Sequence, residues 1–441
     1  MRGDWVRDAS RLRAQLGVDA DFGPTSLAVS GAFMLTDVMF RRRDVLDEES
    51  REWVVKARAG HQFSGEQGRG APEAAVELLW QKGARGWRQW LNGGGTIPTF
   101  TGARGLLWAD NDLDAERLSL TASLNAPVGD MLRLDLALGG SRHRRVIEEN
   151  FATRPGRPAA MLNRTYAGFH GLVGLSADIA PDLILFGSVS RVIEPPTFDL
   201  LLTNVAGTGS GASLVSGPNP RRPVVNDLDS QASLTVEIGA RGRIGPTAVD
   251  LTVYRGWLTG EFVSTADFVA QVVTSVGNAD ETRRWGVEAS LDTPVASPGL
   301  QAGDALSASL QWTFTDARFS NDPLFGDRRL PILPPHVIGL GLAYAAPEGF
   351  SGNVTAQIVP EGGFVDYAQT LRAGGYATVA ARLAWQRRAL SLFVEGRNLA
   401  DRRYVSTVIA AQNNVMGQDV SAFAPGEGRA VFGGLEWTLR R

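Results

Sequence analysis

Residues 117–139 read RLSLTASLNAPVGDMLRLDLALG, and their spacing decides the fold. Leu118, Leu120, Ala122 and Leu124 take alternate positions, with Arg117, Ser119, Thr121 and Ser123 between them. After the turn sequence APVGD (126–130), Leu132, Leu134, Leu136 and Leu138 repeat the pattern around Arg133 and Asp135. Successive side chains of an extended chain point to opposite faces. A period of two therefore describes a hairpin with one apolar and one polar face. The same period runs through 11–22, 232–241, 284–292, 305–314 and 377–385.

Such strands fit either a soluble sandwich, with the apolar face in a core, or a membrane barrel, with that face against lipid. Their length favours lipid, since about 9–11 residues cross a bilayer on a tilt, whereas soluble strands run to about five or six. The polar faces carry Arg133, Asp135, Glu237, Arg241 and Glu288, which suit a wet lumen. The bulk composition narrows the classes further. A formal charge of -3 argues against a nucleic-acid binder. The absence of cysteine removes disulfides and thiolate chemistry. The opening MRGDWVRDASRLRAQ has no apolar core of a signal peptide, and no apolar run reaches the length of a membrane helix.

The connections alternate between short and long. Short links are 126–130, 180–182, 243–247, 346–350 and 386–389; long links are 93–116, 142–166, 193–230, 259–282, 317–334 and 400–428. Outer-membrane barrels have this asymmetry, with short periplasmic turns and long extracellular loops. Counting back from the last strand predicts about 17 antiparallel strands. They lie at 11–21, 25–34, 53–62, 74–92, 117–125, 131–141, 167–178, 182–192 and 231–242. The rest fall at 246–258, 283–293, 305–316, 335–346, 351–360, 374–386, 389–399 and 429–439. Residues 74–92 also read as a hairpin around KGARG, but the up–down order requires one strand. Trp385 and Trp437 fall at the lower ends of downward strands, and Trp257 and Trp285 at upper ends, as two aromatic girdles would.

An ordered series of segments resembles the TonB-dependent outer-membrane receptors, closest to the ferric-citrate and siderophore receptor branch. It comprises SRVIEPPTFDLL (190–201), NDLDSQASLTVEIGARG (226–242), DLTVYRGWLTGEFVS (250–264) and NADETRRWGVEASLD (278–292). FSNDPLFGDRRLPILPPHVIGLGLAY (319–344), GGFVDYAQTLRAGGYATVAARLAW (362–385), FVEGRNLADRRY (393–404) and PGEGRAVFGGLEW (425–437) continue it. The resemblance implies an all-β, antiparallel transmembrane barrel of about 22 strands with a plugged lumen. On this reading, residues 1–441 are a partial barrel domain, with the N-terminal plug and first strands absent.

The implied function is uptake of a ferric chelate, siderophore- or citrate-like, with TonB energy coupling. The implied partners are the chelate at the extracellular loops, the TonB complex through the missing plug, outer-membrane lipid and lipopolysaccharide, and the barrel-assembly machinery. No nucleic acid, cofactor or catalytic group is implied, and the protein is expected to be a monomer. The final strand sets Val431, Gly433, Leu435, Trp437 and Leu439 toward lipid before Arg440–Arg441. Trp437 there takes the place of the family's terminal aromatic residue.

The remaining motifs carry little chemistry. His61, His143, His170 and His336 lack the paired spacing of metal ligands. GTGSGAS (207–213) lacks the ending and strand-to-helix context of a phosphate loop. Charge runs at 41–44, 141–145 and 402–403 fall at loop bases, where they serve as solvated rims, contact anionic lipopolysaccharide or attract an anionic chelate. No individual ligand-binding residue is assigned. The alternatives are a passive diffusion porin, a barrel lipase or protease, for which no nucleophile motif exists, and a soluble β-rich binding module.

Overall fold

The computed structural model describes residues 7–41, 44–64, 71–93, 103–151, 157–205, 220–267, 273–296, 299–409 and 422–438. The strands in chain order begin with β1 (Arg7–Phe22), β2 (Thr25–Arg41), β3 (Asp44–Gln62) and β4 (Glu73–Asn92). Next come β5 (Arg104–Val128), β6 (Leu132–Glu149), β7 (Leu162–Ala180) and β8 (Leu183–Glu194). Helix α1 (Phe198–Leu201) precedes β9 (Leu202–Val205), β10 (Arg222–Val225), β11 (Gln231–Ile244) and β12 (Thr247–Thr259). The short pair β13 (Phe262–Asp267) and β14 (Val273–Asn278) leads to β15 (Glu281–Ala296), β16 (Ala305–Phe319) and β17 (His336–Ala345). β18 (Phe350–Val359), β19 (Tyr376–Arg387), β20 (Leu390–Arg397), β21 (Val405–Ile409), β22 (Ala422–Pro425) and β23 (Ala430–Trp437) complete the chain.

Seventeen strands share one antiparallel sheet, and the pairs β9–β10, β13–β14 and β21–β22 stand outside it. All the strands expected from alternation are present, and residues 74–92 form one strand rather than a hairpin. Two expected loops are corrected. Much of 93–116 is strand, because β5 begins at Arg104, and 142–149 continues β6. The reason is physical: the ladder's hydrogen bonds need no apolar face. Outward residues such as Asp112, Asp114 and Glu116 on β5, and Arg142 and Arg144 on β6, are polar above the apolar band, so the alternation vanishes while the strand continues.

The chain divides into two compact units. The first contains 1–173, 190–233 and 260–279, and the second contains 174–189, 234–259 and 280–441. In the first, β1 to β6 pair in sequence. Leu78 lies opposite Leu120 across β4–β5, and Leu124 opposite Leu136 across β5–β6. In the second, β12, β15 to β20 and β23 pair in sequence. There Leu342 meets Val354, Leu383 meets Val394, and Leu392 meets Leu435.

These apolar rows are exposed, which separates lipid from core. Leu120 is 53% exposed, Leu138 64% and Leu383 56%. An aliphatic side chain left in water forgoes about 1.5–3 kcal/mol, so a continuous band of them requires hydrocarbon. Trp437, opposite Leu390, and Trp385, between Phe350 and Leu392, mark the lower edge. Trp285, edge-on to Phe314 at 4.7 Å, lies at the upper ends of β15 and β16. Polar faces are held by ion pairs. Arg382 and Arg397 both donate to Glu395, at 3.1 and 2.6 Å. The lower turns are tight: Gly349 has φ 89°, and a Cβ there would sit 1.8 Å from the Gln386 carbonyl oxygen.

Candidate functional site

The inward positions of β4, β5 and β6 in the first unit change character toward their upper ends. Trp87, Leu113 and Ile147 are buried there, and they pack with Leu201, Leu202, Leu228 and Val276 from the loops after β8 and β12. The segment carrying α1 is therefore folded onto the polar side of the sheet, anchored by this buried apolar cluster. Buried apolar contact of this kind supplies the order that a long polar loop otherwise lacks.

Beside that patch lies a cavity of about 390 Å³, lined among others by Glu52, Gln81, Arg85, Arg117, His143, Arg145 and Phe198. The register brings these residues together. Arg117 on β5 lies directly opposite Gln81 on β4 and His143 on β6. Arg145 follows two positions on and lies over the Phe198 ring at 5.6 Å. Arg85 contacts Glu48 and, at 3.5 Å, Asp199 of α1. Arg117 and Arg145 have no carboxylate partner among the described residues, and the Arg117 Nε is buried without a hydrogen bond.

The electrostatics register this unbalanced charge. His143 lies above the apolar band, where the outward face of β6 has turned to Arg142 and Arg144. Burial first, then the neighbouring Arg117 and Arg145, push its imidazole down to about 4. The ring is therefore neutral near pH 7, and its Nε2 shares a 3.2 Å hydrogen bond with Ser141 Oγ. Two guanidiniums beside a neutral imidazole can donate to an anion with several oxygen acceptors, and Glu52, Glu116 and Glu194 line the same cavity.

The other residues singled out in the sequence have local roles. His61 bonds to Thr25 at 2.8 Å and His170 to Thr121 at 2.9 Å, and the Trp312 indole donates to His336 at 3.2 Å. No metal-ligating group is assembled among the described residues. The run at 141–145 is split by the pleat: Arg142 and Arg144 face outward, whereas His143 and Arg145 enter the cavity. Residues 207–213, Arg42, Arg43, Leu439, Arg440 and Arg441 lie outside the described residues. Sequence reasoning missed Arg85 and Arg117. Their signal is their phase, on the polar face of adjacent strands, which becomes legible only with the register.

At the end of β20, Asn398 is buried and has φ 44°. Its amide donates to the carbonyls of Arg402 and Glu427 at 2.9 and 2.8 Å and accepts from the Arg402 N–H at 2.9 Å. The charged end of FVEGRNLADRRY is thus a clasp joining both ends of the last loop as well as a waterline.

A family model described as TonB dependent receptor-like, beta-barrel, matches residues 2–399. No curated protein matches the sequence. The ferric yersiniabactin uptake receptor FyuA from Yersinia pestis superposes with a TM-score of 0.70 at 14% identity, over 97% of this chain and 61% of that one. The ferric citrate transporter FecA, in its unliganded form, gives 0.73 at 14% identity, over 97% and 61%. The copper transporter OprC gives 0.68 at 13% identity, over 98% and 64%. The chain therefore spans a little over three-fifths of the length of these relatives, and at such identity the likeness is one of fold. With 2–399 covered by the family match, the chain belongs to the TonB-dependent receptor β-barrels of the Gram-negative outer membrane.

Proposed function

We propose that residues 1–441 are a barrel domain through which an outer-membrane receptor captures an anionic ferric chelate, citrate- or siderophore-like, for uptake powered through TonB. The observation that carries the reading is the pair Arg117 and Arg145, which face one cavity around His143 without a carboxylate partner among the described residues. A ferric chelate bearing surplus carboxylates presents acceptors that both guanidiniums can use. The folds of FyuA and FecA, whose titles name ferric yersiniabactin and ferric citrate, support the class of ligand. Outer-membrane lipid and lipopolysaccharide surround the exposed apolar band, and the barrel acts as a monomer.

Ferric citrate tests the site directly. Titration of the detergent-solubilised protein, followed by tryptophan fluorescence, is expected to saturate and to weaken about tenfold or more in Arg117→Gln/Arg145→Gln, the loss of charge-assisted hydrogen bonds. Unsaturable binding, or the same affinity in the variant, refutes the assignment. A passive porin is the second reading, favoured by the α1 segment folded onto the polar face. Uptake in cells discriminates the two: a protonophore abolishes TonB-driven entry and leaves passive diffusion unchanged.

A further inference from the structure

We propose that the loops following β16 and β18, in the second unit, build a separate anion site that takes a phosphoryl group. The first loop is an ordered extension of β16. The Phe319 N–H donates to the Arg328 carbonyl and the Leu330 N–H to that of Ala317, each at 2.9 Å, so Arg318 and Arg329 become cross-strand neighbours. Its tip is closed by Asp322, whose carboxylate accepts from the Leu324 and Phe325 N–H groups at 2.8 and 2.9 Å. The second loop is fastened in the same way. Fully buried Asp366 accepts from the Thr370 N–H at 3.0 Å and the Thr370 hydroxyl at 2.8 Å.

The two loops are also joined to each other. The Ile332 N–H donates to the Phe364 carbonyl at 2.6 Å, and the Gln369 amide to the Arg329 carbonyl at 3.1 Å. Phe325 packs on Phe319 and on Tyr367 at ring separations of 4.6 and 4.8 Å. Groups held by such a frame bind without a large ordering cost, so their donors are pre-organised.

Between the loops lies a cavity of about 530 Å³ whose lining includes Arg318, Arg328, Arg329 and Arg372. Their charge is incompletely matched. Arg318 and Arg329 share the single carboxylate of Asp316, at 2.8 Å each. Asp327 is engaged by Arg283 at 3.4 Å. Arg372 contacts Glu361 and stacks over Phe364 at 4.1 Å. Arg328 has no carboxylate partner among the described residues. Four guanidiniums thus line the cavity with one carboxylate, Asp327, while Asp316, Glu361 and the loop-closing Asp322 and Asp366 stand outside that lining.

A phosphoryl group fits this arginine-rich lining. It carries a charge of about −1.5 to −2 near pH 7 and three strong acceptor oxygens, and the planar guanidinium fork matches those oxygens pairwise. Fastening the loops accounts for Arg318 and Arg329, and Glu361 for Arg372, which leaves Arg328 in the lining without a carboxylate partner among the described residues. The site shares no residue with the cavity around Arg117, so it stands whether or not that cavity binds a ferric chelate. The phosphoryl group has two possible sources, free phosphate and the phosphorylated headgroup of lipopolysaccharide.

Calorimetric titration tests this in the solubilised Arg117→Gln/Arg145→Gln protein, which silences the other anion cavity. The probes are inorganic phosphate and monophosphoryl lipid A in the same detergent. Saturable binding of phosphate is expected, weakened about tenfold or more by Arg328→Gln or Arg372→Gln and partly restored by Arg328→Lys. Saturation by the lipid alone, with the same sensitivity to both variants, supports the site and assigns its source to the membrane. Heat-modifiable mobility on gels verifies that each variant is folded. Saturation by neither probe, or identical binding in folded Arg328→Gln and Arg372→Gln, overturns the proposal.

Discussion

Replacing Glu149 by glutamine removes one charge from a fully buried ion pair and probes how the loop after β6 is held. Glu149 and Arg157 are both 0% exposed at their side chains and lie 2.5 Å apart. The second Glu149 oxygen accepts from the Ala160 N–H at 2.8 Å, and Arg157 also donates to the Trp108 carbonyl at 2.7 Å. The Phe151 ring covers the guanidinium at 4.2 Å. In Glu149→Gln the amide keeps one acceptor but turns a donor toward another donor, and Arg157 becomes an uncompensated buried cation. Breaking such a pair costs about 3–5 kcal/mol, equivalent to a rise of about 150- to 4,000-fold in the local opening constant. The cost is local, so hydrogen exchange of the amides at 157–162 is the appropriate assay. The double variant Glu149→Leu/Arg157→Met, which leaves no charge behind, is expected to exchange more slowly than the single one. Unchanged exchange in Glu149→Gln, or faster exchange in the double variant, refutes the reasoning.

Three further perturbations test other links. His143 is neutral in the fold at pH values where the unfolded chain protonates it, so its contribution is intact above about 6.5 and lost as pH falls toward about 4; His143→Gln should flatten the pH dependence of thermal unfolding in that window. Leu138→Arg places a charge on the exposed apolar face of β6 and is expected to cost about 2–4 kcal/mol near the bilayer centre. Inward Ser123→Arg costs far less, and the folded fraction by heat-modifiable gel mobility separates the two. Asn398→Ala removes the hydrogen bonds to the Arg402 N–H and to the Arg402 and Glu427 carbonyls, at about 0.5–1.5 kcal/mol each. Limited proteolysis should then cut near 400–405 and 425–429 sooner while the ladder between β20 and β23 stays protected.

Much of the architecture was legible in residues such as Leu118, Leu120, Leu132 and Leu134, because a strand between hydrocarbon and water must alternate. The same rule hid the upper part of β5, where Asp112 and Asp114 face outward above the apolar band and no apolar outer face is required. The hairpins β9–β10, β13–β14 and β21–β22 were missed because their strands are only four to six residues long.

Alternation, strand length and the alternating short and long connections together determined the antiparallel strand series and the face that meets lipid. Each follows from local geometry, a pleat of period two and a bilayer of fixed thickness. The tertiary structure alone assembled the two arginine-lined cavities. Arg85, Arg117 and Arg145 come from three strands, and Arg318 and Arg372 from β16 and the loop after β18, so their meeting depends on register and loop folding. It also decided that Asn398 is a clasp, since its partner Glu427 is reached only when the last loop closes. Contacts between distant segments depend on the whole fold, and no short stretch of sequence encodes them.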